Sequence, residues 1–220
     1  MHFEILVEGQ SDRTALEPLV AKILGPYNNP HTWRIIIHKG LGTLPGNPQA
    51  RPDPRNPTLL HNLPAKLKAY GKSMGTDEAV VVVLDLDNKD CLSFKRDLKN
   101  LLNYCEKEPK TLFRIAIEEL EAWFLGDRKA FLSAYPRAKA TVLDGYEQDS
   151  ICGTWEVIAD AVYPGGAKSL EQKGRQYLLE EKRHWAKNIV PRMDIDDNCS
   201  HSFKIFRDGL RQLAVHSADE

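Results

Sequence analysis

The run Ala79 to Leu84, AVVVVL, constrains the fold more than any other stretch of the chain. A strand with one wet face alternates apolar and polar residues. An unbroken Val-rich run has no wet face, so it belongs to a strand covered on both sides, as in a parallel sheet with helices above and below. Its brevity and its β-branched side chains favour a strand over a buried helix. Around it the chain alternates. Phe3 to Val7 reads as a strand, and Ala15, Leu16, Leu19, Val20, Ile23 and Leu24 recur at helical spacing until Gly25-Pro26. Trp33 to His38 is a second strand, Leu59 to Gly71 a helix, Leu92 to Cys105 a further helix and Thr111 to Ile117 a fourth strand. Strand and helix in that order predict a doubly wound α/β fold around a mostly parallel four-stranded sheet.

After Asp127 strand-type runs cease. Arg128 to Tyr135, Thr154 to Val162, Ser169 to Asn188 and Ser202 to Val215 suit amphipathic helices, with Pro136, YPGGAK and PRMDIDDNCS between them. The expected organisation is an α/β unit over residues 1–127 and a helical cap or extension over 128–220 packed on it. Between the second strand and its helix lies KGLGTLPGNPQARPDPRNP, too rich in Gly and Pro to be anything but loop. Loops of that length in a compact domain are usually functional or mobile.

Two acidic clusters stand at strand ends. Glu8 follows FEILV in VEGQSD, and Asp85 and Asp87 follow AVVVVL in DLDNKD. In a doubly wound sheet ligands collect beyond the carboxyl ends of the strands. Carboxylates gathered there push one another toward protonation unless a counter-charge relieves them. Magnesium, or manganese in its place, is such a counter-charge and takes oxygen ligands with waters and substrate phosphates. Period-two geometry would set Asp85 and Asp87 on the same side of an extended segment. Glu8 alone would equally suit an acid at the positive end of a helix dipole. Asp12 and Asp90 suit helix N-caps and are also candidate outer ligands. In IEELEAW, Glu118 and Glu121 would share one face of a helix, with Glu119 pointing elsewhere. That pair would either hold a second ion, as in two-metal phosphoryl transfer, or form an exposed helix start. Candidate phosphate-binding cations are Lys39 beside the Gly-rich loop, Arg51 and Arg55 within it, Lys168 after the double glycine, and Lys182 and Lys187 flanking His184 and Trp185.

The bulk properties narrow the classes. A formal net charge of −1 gives no global signature of nucleic-acid binding, so contact with a polyanion has to come from a local basic face or through a metal. The 4 cysteines are far apart and without a CxxC pair, which excludes a zinc knuckle or a disulfide framework as the expectation. With no signal-peptide pattern and no apolar stretch long enough to span a bilayer, the expectation is a cytoplasmic protein with no membrane partner.

The residues Glu8-Gly9-Gln10-Ser11-Asp12 with Asp85-Leu86-Asp87, an EGxxD after one strand and a DxD after another, resemble the Toprim fold. With HNLPAKLKAYGKS, IAIEELEAWFLGD and CSHSFKIFRDGLRQL, nearly the whole chain resembles the Toprim-like family DUF4276. The catalytic Toprim domains imply magnesium held by the acidic residues, here Glu8, Asp85 and Asp87, and phosphoryl transfer on DNA or RNA. Similarity to the OLD-type nucleases implies a partner, an ABC- or AAA-type ATPase. No GxxxxGK[ST] occurs here, so that ATPase would be a separate chain. The expected function is therefore a magnesium-dependent nuclease coupled to an ATPase in defence against phage. Two alternatives stay open: a non-catalytic adaptor of nucleic acid or protein, and a metal-dependent phosphohydrolase of a small substrate. A homo-oligomer is compatible with each.

Overall fold

A computed structural model describes residues 1–215. Four strands, β1 (His2–Val7), β2 (Thr32–Ile37), β3 (Glu78–Asp85) and β4 (Thr111–Ala116), form one sheet in the order β2-β1-β3-β4. Every neighbouring pair is parallel. The doubly wound α/β architecture expected from the alternation is thus present. The chain passes from β1 outward to β2 and then back across to β3, so the direction of winding reverses between β1 and β3. Ligands bind at such a reversal, beyond the carboxyl ends of the strands.

The valine run explains the layering. On β3, Ala79, Val81 and Val83 point into one core cluster and Val80, Val82 and Leu84 into the other. The period of two divides the run between two cores, which is why no polar residue interrupts it. One face is covered by α2 (Leu59–Ser73), α3 (Cys91–Asn100) and a 3₁₀ turn over Leu101–Tyr104. On the opposite face lies α1 (Gln10–Leu24), whose Ala15, Leu16, Leu19, Val20, Ile23 and Leu24 are buried as their spacing predicts.

Residues beyond β4 complete that second core. They form α4 (Glu121–Leu125), α5 (Arg128–Ala134), α6 (Ala140–Asp144), α7 (Thr154–Val162), α8 (Gly166–Gln172), α9 (Arg175–Ile189) and α10 (His201–Val215). Trp123, Trp185, Phe131, Phe203 and Phe206 join Phe3, Ile5 and Val7 of β1 in one buried cluster. Trp123 stacks on Phe206 with centroids 4.9 Å apart, and its indole N–H donates to Ser202 at 3.0 Å.

Two local expectations are corrected. The helix expected over Ser169 to Asn188 is two, because Gly174 takes a φ of 94°, open to glycine and costly for other residues, and separates α8 from α9. The helix expected from Leu92 to Cys105 tightens into the 3₁₀ turn after Asn100. The Gly- and Pro-rich segment carries no regular element, as expected, yet its base is tied down. Gly40 donates its N–H to the carbonyl of Glu8 at 2.9 Å, and Leu59 donates to that of Gly40 at 2.9 Å. Among the described residues no helix is long and apolar enough to cross a membrane.

Candidate functional site

The carboxyl ends of β1 and β3 open into a cavity of about 840 Å³. Glu8, Asp12, Asp85, Asp87 and Glu119 line it from the sheet side. Trp155 of α7 and Arg175, Leu178, Leu179, Lys182 and Arg183 of α9 line it from the helical side. The cavity therefore lies between the α/β sheet and the helices that follow it in sequence.

Glu8, Asp85 and Asp12 are each held by backbone. Glu8 leaves β1 directly, and its Oε1 accepts the N–H of Asp85 at 2.9 Å. Asp85 ends β3, and its Oδ1 accepts the N–H of Leu120 at 2.9 Å. Asp12, in the first turn of α1, accepts the N–H of Gly9 at 2.8 Å and so caps the helix while facing the cavity. Asp87 behaves differently from the expectation. β3 stops at Asp85, and Asp87 sits at a φ of 48° in the following turn, where it is half exposed and pairs with Lys89 at 2.9 Å. The two aspartates line one cavity, but through this turn rather than through period-two alternation.

The glutamates after β4 require a larger correction. Residues 117–120 are a turn and not a helix, and Glu118 takes a φ of 58°. Glu118 consequently points away from Glu121. Its carboxylate accepts the N–H groups of Gly153 at 2.8 Å and Thr154 at 2.8 Å, together with the Thr154 hydroxyl. Those are unpaired donors at the start of α7, so Glu118 anchors that helix. Its burial would raise its pKa, but these hydrogen bonds win and hold it below the usual value. Glu119, expected to point elsewhere, is the residue that faces the cavity, and it shares Lys182 with Glu121. The Lys182 Nζ lies 2.9 Å from Glu119 and 3.4 Å from Glu121.

Electrostatics set this corner apart. Burial, with Asp12 and Asp87 nearby, pushes Glu8 up to about 8. Burial and Glu121 push Glu119 to about 7 against the pull of Lys182. Asp85 is raised well above the ordinary range by burial, then by Glu8 and Asp12. Burial also raises Asp12. For Lys182 burial acts in the opposite sense and alone would lower it, but Glu121, Glu119 and Asp85 together raise it. One buried ammonium thus faces several acids, and Oε2 of Glu119 is buried with no hydrogen-bond partner among the described residues. Buried acids with raised pKa values in a cleft are candidates for a functional site.

The donor set fits a hard divalent cation in kind and in charge: carboxylate oxygens only, in excess over the local positive charge. It is not a finished ligand cage, since no three His, Cys, Asp or Glu among the described residues converge as a metal-binding group.

Other candidates scatter. Lys39 and Lys182 line the cavity. Arg51, Lys168 and Lys187 are exposed and away from its lining. Arg55 pairs with Asp53 at 3.2 Å out in solvent. Asp90 caps α3 by accepting the N–H of Ser93 at 2.8 Å. His184 is exposed and Trp185 is buried in the core. Trp155 and Arg175 lie on the cavity wall without any motif to announce them. Only the stripe Arg175, Leu179, Lys182, Arg183 at helical spacing hints that α9 turns one mixed face toward a cleft.

Fold and site together define a doubly wound α/β protein with an acidic cleft at its topological reversal. The model of the family described as Domain of unknown function (DUF4276) matches residues 7–211, and the chain belongs to that family. No curated protein and no solved structure matches it.

Proposed function

We propose that the protein is a magnesium-dependent nuclease of Toprim type, cleaving phosphodiester bonds in DNA or RNA. The observation that carries this reading is the coupling of Glu8 to Asp85 across the reversal between β1 and β3, at the floor of a cleft whose acids are raised by burial. Glu8, Asp85 and Asp87 would hold the ion, with Glu119 behind them. A bound divalent ion supplies positive charge to the developing phosphoryl anion and lowers the pKa of a bound water. The chain's own contribution is position. Glu8, if it is not taken up by the ion, would serve as general base, and Lys39, Arg175 and Arg183 border the cavity where a phosphate backbone would enter. The resemblance to OLD-type nucleases supports a separate ATPase chain as partner and a cytoplasmic role in defence against phage.

The adaptor reading has one observation in its favour: Lys182 already neutralises part of the cluster at Glu119 and Glu121. Cleavage of plasmid DNA and of tRNA with magnesium or manganese, with and without the cognate ATPase, decides between them. Cleavage by the wild type that Asp85→Ala abolishes supports the nuclease. Identical behaviour of wild type and variant on both substrates, with both metals, refutes it.

A further inference from the structure

The wall opposite the acids carries one feature that the nuclease reading leaves unused, an aromatic ring that shares the cavity with its cations. Trp155 faces the cavity beside Leu178 and Leu179, partly buried against the core, and its indole N–H has no hydrogen-bond partner among the described residues. Lys39 and Arg175 line the same cavity, and neither is paired with a carboxylate among the described residues. Arg183 keeps only a loose contact to Glu180, 3.9 Å away on the same helix. On α9, Arg175 and Arg183 lie about 12 Å apart along the axis, since each residue rises about 1.5 Å.

We propose that this cavity binds a single-stranded polynucleotide, with one unstacked base against Trp155 and its flanking phosphates at Lys39, Arg175 and Arg183. The inference rests on the nuclease reading for the reaction but not for the binding. Stacking on an aromatic needs a free base face. Bases inside a duplex already spend both faces on their neighbours, whereas a single strand offers them. Free cations beside an aromatic match the groove-and-platform design of single-strand binders. The dimensions agree. A cavity of about 840 Å³ falls within the roughly 300–1,000 Å³ of small-molecule sites, which admits a nucleotide or two but not a duplex. The near-neutral chain would then contact nucleic acid through this local patch, with no broad basic surface.

Fluorescence anisotropy with fluorescein-labelled 12-mers (about that length, within the roughly 4–16 nucleotides that single-strand modules cover) tests it, with calcium in place of magnesium so that binding is read without turnover. The arms are single-stranded DNA, single-stranded RNA, the DNA duplex and a mononucleotide. The expected result is single strands bound in preference to the duplex and the mononucleotide. Trp155→Ala should weaken single-strand binding about 5- to 150-fold, and Trp155→Phe, which keeps a ring, should restore most of it. Arg175→Gln should lower the salt dependence of log K by about 0.7, the release expected for one phosphate on a single strand. Duplex or mononucleotide bound as tightly as the single strand overturns the proposal, as does no binding at all or a Trp155→Phe protein no better than a folded Trp155→Ala. Should Trp155→Ala fail to fold, the Arg175→Gln salt slope and the duplex comparison still decide. Duplex cleavage without the single-strand preference sinks this inference alone. Single-strand binding without any cleavage sinks the nuclease reading alone.

Discussion

Glu8 and Asp85 stand at the ends of neighbouring strands, and the carboxylate of one accepts the backbone N–H of the other at 2.9 Å. Asp85 in turn uses its own carboxylate to hold the N–H of Leu120 at 2.9 Å. The ends of β1 and β3 and the turn after β4 are therefore linked through two acids. A group that serves as a structural link while buried among like charges binds its proton more tightly in the folded state.

The pH dependence of stability follows from that. Glu8 titrates near 8 in the fold against 4.5 for an ordinary glutamate, chiefly because of burial, and Glu119 is raised to about 7. Between the unfolded and folded values the native state carries protons that the unfolded chain has lost. Stability is then present in full below about pH 4.5 and is lost as the pH rises through 8. One such proton amounts to about 1.4 kcal/mol per pH unit, or about 3–5 °C in a chain of this size. Metal-free protein should melt at progressively lower temperature from pH 6 to pH 8, values that lie inside the window set by Glu8. Glu8→Gln should flatten that slope, and added magnesium should flatten it in the wild type. Scanning fluorimetry across pH reads both, and a melting temperature that rises over this interval contradicts the assignment.

Lys182 is the only cation in contact with Glu119 and Glu121 among the described residues, and its side chain is 11% exposed. Replacing it with Met keeps the packing and removes the charge, leaving two buried acids uncompensated. Breaking a buried pair from one side costs about 3–5 kcal/mol. Lys182→Met should lose that much in urea denaturation at neutral pH, and adding Glu119→Gln should recover part of it. If the double variant is less stable than the single one by the full cost of Glu119→Gln alone, the two residues are not coupled.

What could be read before the structure divides along a physical line. The valine run specified a strand with two covered faces, and Val81 and Val82 do lie in opposite cores. Glu8 and Asp85 were legible as cavity residues because strand ends deliver them there, and Asp87 joins them through the turn that follows β3. Helical spacing carried back over residues 118–119 exchanges Glu118 and Glu119, because Glu118 takes a φ of 58° in a turn. A left-handed residue reverses which neighbour faces inward, and nothing in EELEAW marks it. Trp155 and Arg175 were invisible for a different reason. They reach the cleft only because α7 and α9 pack across it, a long-range outcome that local pattern does not encode.

The reassigned Glu118 can be separated experimentally from the acids of the cleft. It accepts the N–H groups of Gly153 and Thr154 and holds the start of α7. Glu118→Ala would leave those donors without a partner, a loss of about 1–3 kcal/mol. Chemical denaturation should show that loss, while manganese binding followed by electron paramagnetic resonance stays close to wild type. Asp85→Ala should abolish manganese binding. Loss of manganese in Glu118→Ala at full occupancy of the folded state would return Glu118 to the ligand set.

The last test concerns how the helices after residue 127 relate to the sheet. Phe206 of α10 is fully buried, stacks on Trp123 of α4 with centroids 4.9 Å apart, and belongs to the same cluster as Phe3 and Ile5 of β1. A core shared in that way couples the unfolding of its parts, because removing one side exposes the apolar surface of the other. Phe206→Ala should cost about 3–5 kcal/mol. The loss should appear equally in far-ultraviolet circular dichroism, which follows all the helices and strands, and in tryptophan fluorescence. Coincident transitions shifted together are the expected result. A variant whose fluorescence transition moves while the far-ultraviolet signal keeps the wild-type midpoint would show instead that the sheet holds its structure without α10.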